Sequence, residues 1–399
     1  MTSRSAQTNL DWLQVGRGVA ALLVVMAHAT LLSERRYGQE FLAGFFSVGN
    51  VGVDFFFVLS GFIIFYIHTR DIGHLGRLKA YAAKRLTRIY PMYWLLSLVI
   101  LPVYLLFPGF GKAHDPSMAY LVKSFLLWPQ EALPMLSVGW TLTHEMYFYL
   151  VFGLMIAAPR WVWLPLVTVI AVLSSWKLAA DHGMAWNGDK YRTGATVFDQ
   201  SELLAFLLSR HNIEFFAGCL VGWMAPRFRL PAAGWIGLAG VAAFLIPMAG
   251  LAFKLPWSSA ILYDKSARTL YYAVVSAVIV LAAANLNGER GGLRAPAFSR
   301  LLGDASYTLY LAHYPILIAW FLVCSLVLPK HPDPFVVHVA TTFGALVATL
   351  LSVALYRWVE KPLLGASRTW AERLLRLSKD PLTANPAGLI GAAEPRKLS

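Results

Sequence analysis

Residues 10–32 read LDWLQVGRGVAALLVVMAHATLL, an apolar run long enough to cross a bilayer as a single helix. Beyond Asp11 at its edge, it carries two ionisable side chains, Arg17 near its start and His28 towards its end. A titratable group inside a membrane span is costly and marks a functional site by default. Eleven residues of helix rise about 16 Å through about three turns and return to within roughly 20° of the starting face. Arg17 and His28 therefore share one face, one near a membrane surface and the other deep or beyond the midplane. The plainer alternative is an Arg whose stem snorkels and a His that bonds a neighbouring helix.

The rest of the composition agrees with a membrane protein. Of 399 residues, 58% are hydrophobic and 14% charged, with a mean hydropathy of +0.57, whereas soluble domains carry about 25% charged residues. A formal charge of +13 and a pI near 9.7 would suit nucleic acid in a soluble protein; here they read as a cytoplasmic Lys/Arg excess. Both cysteines, Cys219 and Cys324, fall in apolar runs, which predicts neither a disulfide nor a metal cluster. No cleavable signal peptide is expected, since the first apolar run is too long for one. Walker, dinucleotide-glycine, HExxH and zinc-cysteine patterns are absent from the sequence.

Ten apolar segments follow from the hydropathy pattern, near 13–32, 49–68, 89–107, 138–158, 161–177, 211–225, 234–253, 269–285, 305–328 and 336–358. The predicted fold class is an all-α integral membrane protein of about ten transmembrane helices, with Pro102, Pro165, Pro247 and Pro315 kinking spans. Placing the N-terminus in the cytoplasm puts about two thirds of the 34 Lys and Arg inside. Both termini are then cytoplasmic and the 178–210 loop is external. Residues 1–363 form the membrane domain. Residues 364–399 form a cytoplasmic tail with a basic surface helix over 367–378 and a disordered remainder.

Counting residues from each span's end assigns depths to the polar groups. His28, Asp54, Glu145 and Glu214 fall into one outer layer, where a His between carboxylates is an oriented general base; Asp54 and Glu145 are the candidate partners of His28. The alternative is that each acid satisfies a neighbouring helix or faces the outer aqueous surface. An inner layer holds Arg17, Arg85, Arg88, Asp304, Arg357, Glu360 and Lys361. Arg85 and Arg88 lie i,i+3 on one face and with Arg17 make a clamp for phosphate, which a guanidinium bonds through two oxygens at once. The alternative is positive-inside anchoring. Together the layers suit a phosphate-bearing ligand threaded up from the cytosol. His313, near the middle of the ninth segment, either lines the same cavity or satisfies backbone groups freed by Pro315; Asp304 is expected to cap the ninth segment, and Glu360 with Pro362 to end the tenth.

The same residues resemble the membrane acyltransferase family 3. The resemblance covers most of residues 10–363. It rests on R-x10-H at Arg17 and His28, GVDFFFVLSGF from Gly52, R-x2-R at Arg85 and Arg88, and W-x-L-x-x-E from Trp140 to Glu145. EFFAGCLVG from Glu214, SYTLYLAHYPI from Ser306 and Y-x-x-x-E-K-P from Tyr356 complete the ordered set. WTLTHEMYFY is most similar to the exopolysaccharide-modifying subgroup. The resemblance implies transfer of an acyl group, commonly acetyl, from cytosolic acyl-CoA to a hydroxyl of a glycan or its lipid-linked precursor outside the bacterial inner membrane, with no permanently bound cofactor or metal. It makes His28 the catalytic histidine, Arg17 its motif partner, Arg85 and Arg88 the coenzyme A side, and Glu145 a helper carboxylate. Many relatives carry a second acid where this chain has Met146, which weakens any role for a carboxylate pair. Some members also carry a fused hydrolase-like domain, of which this sequence has no sign.

On this reading His28 deprotonates the acceptor hydroxyl as it attacks the thioester; an acyl-histidine intermediate is the covalent variant. Rivals are a multi-pass transporter of an anionic or lipid-linked solute, against which the lack of an inverted repeat counts, and an inactive scaffold among polysaccharide-assembly proteins. Trp186, Trp257 and Tyr263, in expected external loops, either stack on sugars or belong to the interfacial aromatic belt.

Overall fold

The computed structural model describes residues 11–107, 117–130, 132–186, 201–286 and 295–375, with side chains described to residue 180 in the third stretch. Regular structure among them is entirely helical. In chain order the helices are α1 Asp11–Tyr37, α2 Val51–His68, α3 Leu78–Leu106, α4 Met118–Leu126, α5 Trp140–Ala157, α6 Arg160–Trp186, α7 Glu202–Leu207 and α8 His211–Met224. They continue as α9 Ala233–Ala252, α10 Pro256–Tyr263, α11 Lys265–Leu286, α12 Ala297–Asp304, α13 Ser306–Val327, α14 Pro334–Leu355 and α15 Lys361–Leu374. The ten expected spans correspond to α1, α2, α3, α5, α6, α8, α9, α11, α13 and α14. Among the described residues nine helices are long and apolar enough to cross a membrane. The other, α5, is 18 residues long, and Thr141, Thr143, His144 and Glu145 dilute its apolar character.

Several helices are longer than their hydropathy predicts, α6 by nine residues at its end, and two of the differences bear on the site. α3 starts at Leu78 rather than near 89, because Lys79, Lys84, Arg85 and Arg88 are good helix formers that an apolarity count passes over. At the other end of the chain the helical path does not stop at Glu360 and Pro362. A π-turn over Tyr356–Glu360 links α14 to α15, with the Lys361 amide bonded to the Tyr356 carbonyl. Pro362 then falls in the first turn of α15, where its missing N–H is no loss. The surface helix expected over 367–378 is thus the end of this continuous path, and residues 376–399 of the expected tail lie outside the described residues. Asp304 is not the N-cap of α13 either: it is the last residue of α12, and Ala305 precedes α13 without a side-chain cap.

Glycines set the helix registers, as expected where lipid supplies no hydrophobic drive and close backbone approach carries the packing. A Cβ on Gly49 would strike the Leu23 carbonyl, one on Gly52 the Ala20 carbonyl, and Gly16 lies against the Phe55 ring. α1 and α2 are therefore antiparallel, with Asp54 level with Gly18. α2 and α8 touch backbone to backbone, Gly61 against the Phe215 carbonyl and Gly218 against that of Val58. α13 is the hub: Ser306 to His313 are all buried without a break. Its successive side chains reach α3 (Tyr307 to the Ile89 carbonyl, 2.6 Å), the π-turn (Thr308 to Glu360), α5 (Tyr310 and Thr141, 2.9 Å) and α1 (His313 and His28, 3.1 Å).

Candidate active site

A cavity of about 190 Å³ lies between α1, α2, α3, α5 and α13. Arg17, Arg85, Arg88 and Glu145, four of the six expected site residues, line it together with Tyr149, Tyr307 and Tyr310. Each charged group has a defined support. Arg17 Nη1 donates to Gln14 Oε1 at 3.0 Å, one helical turn back. Arg85 Nη2 donates to His68 Nε2 at 2.7 Å, and its guanidinium lies over the Tyr81 and Tyr149 rings at 5.7 and 5.5 Å. Arg88 Nη1 meets Glu360 Oε1 at 2.5 Å and lies 5.0 Å over the Tyr307 ring. Glu145 Oε1 accepts from Tyr149 Oη at 2.5 Å. Outside the cavity lining, partial desolvation raises the pKa of the exposed Asp304 carboxyl against the opposing pull of Arg17 and Arg88. Three guanidiniums, two of them on tyrosine faces, with one carboxylate among them make a site for a polyanion with an aromatic wall.

His28 stands about three turns further along α1. Its imidazole is half-buried, and its Nδ1 is 3.0 Å from the Val24 carbonyl and 3.1 Å from His313 Nε2. His313 Nδ1 is 2.9 Å from the Leu309 carbonyl. A carbonyl only accepts, so both Nδ1 atoms carry hydrogen; this tautomer is assigned from the bonding pattern. His313 Nε2 is then the acceptor for His28 Nδ1–H, and His28 Nε2 is left with the lone pair a base needs. The Tyr314 ring packs edge-on at 4.9 Å. The structural role expected for His313 is therefore corrected. The carbonyl it binds is that of Leu309, whereas Pro315 frees that of Leu311, and its other nitrogen is spent on His28. The signal was present in SYTLYLAHYPI, but no count along one helix reveals which histidine a parallel helix brings alongside. Tyr310 connects the two regions: it lines the cavity and its ring lies 6.0 Å from that of His313.

Asp54 is corrected in depth and in partner. Its expected place beside His28 assumed that α2 begins at the membrane surface. Instead residues 38–50 fold back into the bundle through a tight turn at Phe41–Gly44, where Leu42 and Ala43 adopt positive φ and Phe41 is buried. By the α1–α2 register, Asp54 lies about ten residues, or about 15 Å, from the level of His28. There Asp54 Oδ2 accepts from Arg268 Nη2 of α11 at 2.6 Å. Glu214 of α8 belongs to this buried group as well, bonded to His211 Nδ1 at 2.8 Å. Glu145 likewise faces the arginine cavity rather than an outer layer.

Glu360 is the residue whose role sequence reasoning missed. Only 3% exposed, it bridges Arg88 of α3 and Thr308 of α13. The π-turn that begins at Tyr356 is what swings it inward, since one extra residue in a helical turn rotates the following side chains. Trp257 and Tyr263 sit exposed on α10; the Trp186 side chain lies outside the described residues. Among the described residues no group of three His, Cys, Asp or Glu side chains is arranged to hold a metal ion, and both cysteines are free thiols.

Residues 10–357 match a family model described as an acyltransferase domain. The chain is 30% identical over 334 residues to the exopolysaccharide production protein ExoZ of Rhizobium meliloti (strain 1021), covering 81% of this chain and 92% of that protein. It is 25% identical over 312 residues to the "Putative acetyltransferase ORF330" of Acidianus two-tailed virus, covering 74% of this chain and 80% of that one. No solved structure matches.

Proposed function

Because the chain belongs to the acyltransferase 3 family of multi-pass membrane proteins, we propose that it moves an acetyl group from cytosolic acetyl-CoA to a hydroxyl of an exopolysaccharide or its lipid-linked precursor. The work would be done in a bacterial inner membrane, with both chain termini in the cytoplasm. The observation that carries this reading is the convergence of Arg17, Arg85 and Arg88 on one cavity, while His28 lies further along the same helix as Arg17. The donor's phosphates would meet the three guanidiniums, each bonding oxygens in pairs. Its thioester arm would run past Tyr310 towards His28.

At His28 the chemistry is general base catalysis. Nε2 accepts the sugar hydroxyl proton as the oxygen attacks the thioester carbonyl. The C–S bond then breaks, and the proton passes from Nε2 to the departing thiolate, so that no net proton is taken up or released. The Nδ1–H held between Val24 and His313 keeps the ring in the required tautomer throughout. The 30% identity to an exopolysaccharide production protein supports a glycan acceptor. Glu145, held by Tyr149 among the arginines, balances part of their charge.

The test is mass spectrometry of surface glycans from cells carrying the intact protein or its His28→Ala variant. Acetylated glycan is expected with the first and not with the second. Equal acetylation in both would overturn the assignment of His28. Cysteine labelling from either side of the membrane at Gly76 and at Gly38, in the loops next to α3 and α1, tests the orientation. The Gly76 loop is expected to react from the cytoplasm only.

A further inference from the structure

Arg85 is a cavity arginine whose direct partner is an imidazole, and that partner is itself held by an acid. Arg85 Nη2 donates to His68 Nε2 at 2.7 Å, and His68 Nδ1 donates to Asp71 Oδ2 at 2.7 Å. His68 closes α2 and is 4% exposed, with its ring set edge-on to Tyr81 at 5.0 Å. Asp71 lies in the short turn Thr69–Asp71 that follows, its side chain 27% exposed. Tyr81 is fixed in turn by a 3.1 Å bond from its hydroxyl to the Tyr149 carbonyl, and the Arg85 guanidinium lies over both tyrosine rings. One edge of the guanidinium is thus tied down. Its Nε is buried without a partner although Arg85 lines the cavity, a donor that calls for an acceptor from a ligand.

We propose that Asp71 and His68 are positioning residues for Arg85, which they aim into the cavity as an oxyanion-binding fork while leaving its positive charge unspent. The inference rests on the reading that Arg85 meets the phosphates of the acyl donor. Arg88 makes the contrast clear: it is paired directly with a carboxylate, Glu360, at 2.5 Å, which quenches part of its charge. A carboxylate in the place of His68 would likewise compete with phosphate for Arg85. An imidazole accepts the same hydrogen bond without a negative charge, and it can do so only as the tautomer with Nε2 unprotonated. Asp71 selects that tautomer by accepting from Nδ1 one ring-width away. Without Asp71 the proton is free to move to Nε2, where it would face an arginine donor.

The experiment measures binding of coenzyme A by titration calorimetry to the purified full-length protein in detergent. His68→Leu keeps the bulk and removes the acceptor, and it is expected to weaken binding about tenfold or more, the loss of a hydrogen bond to a charged group. His68→Gln, which offers an acceptor oxygen, is expected to restore binding to within about threefold of the intact protein. Asp71→Ala should resemble His68→Leu. In an Arg85→Ala background His68→Leu should have no further effect, because a positioning residue acts only through the group it positions. Unaltered binding by His68→Leu, or a loss that simply adds to that of Arg85→Ala, would overturn the inference and leave the donor reading standing. Failure of the intact protein to bind coenzyme A would instead overturn both.

Discussion

His313 of α13 and His28 of α1 lie side by side on parallel helices, His313 Nε2 3.1 Å from His28 Nδ1. The partner of the candidate catalytic base is thus a buried, neutral imidazole whose own proton is anchored on the Leu309 carbonyl. A carboxylate partner would stabilise an imidazolium; a histidine partner orients the ring and fixes its tautomer with far less charge stabilisation.

Replacing His28 by Ala is expected to lower the rate of acetyl transfer by about 10²–10⁴, the usual worth of a positioned general base. His313→Leu is expected to lower kcat on the order of tenfold, by losing one hydrogen bond to the base, with KM for the acyl donor unchanged. Steady-state kinetics on both variants checks this. A His313→Leu enzyme altered in donor KM alone would move His313 from the base to the binding site.

The double variant Arg85→Ala/Arg88→Ala is expected to abolish measurable coenzyme A binding. Each guanidinium bond to a phosphate contributes about 1.5–3 kcal/mol, or about 10- to 100-fold in affinity. Binding to the intact protein should also weaken as salt rises from low to physiological levels, since salt screens the attraction between the donor's phosphates and the guanidiniums. Titration calorimetry at two salt concentrations reads both effects.

Glu360→Ala removes the acid partner of Arg88 and the acceptor of Thr308. Leaving a largely buried guanidinium unpaired costs on the order of 3 kcal/mol, so the melting temperature in detergent should fall. Glu360→Gln, which keeps both acceptor contacts in a neutral form, should recover part of the loss. A melting temperature unchanged in Glu360→Ala would show that Arg88 finds water or another partner readily.

Asp54 and Arg268 are expected to matter for stability and not for the chemical step. Asp54→Ala alone strands the Arg268 guanidinium, whereas Asp54→Ala with Arg268→Met removes both charges and should be more stable than the single variant. The kcat of whatever folded protein remains is expected to stay near that of the parent. Loss of transfer activity in a well-folded double variant would return Asp54 to the catalytic site.

Much of this protein was legible along a single chain. The all-helical, multi-span architecture, the placing of Arg17 and His28 on one long helix, and the i,i+3 pairing of Arg85 and Arg88 all depend on local periodicity and apolarity. These are properties of one helix that need no neighbour. The gathering of Arg17, Arg85, Arg88 and Glu145 was partly foreseeable for the same reason, since three of them sit at matching depths of spans that run their full length.

What tertiary structure alone decided is which residues stand opposite one another. Depth counted from the end of a span fails when the connection folds back into the bundle. Residues 38–50 do this, and they carry Asp54 away from His28 to Arg268. Inter-helix register is set by where two backbones can touch, as at Gly49, Gly52, Gly61 and Gly218. A π-turn adds a local rotation that turns Glu360 inward to Arg88. Hydropathy is nearly blind to both, because a one-residue shift leaves a helix as apolar as before while changing every partner it meets. His313, rather than Asp54 or Glu145, came to hold His28 for that reason.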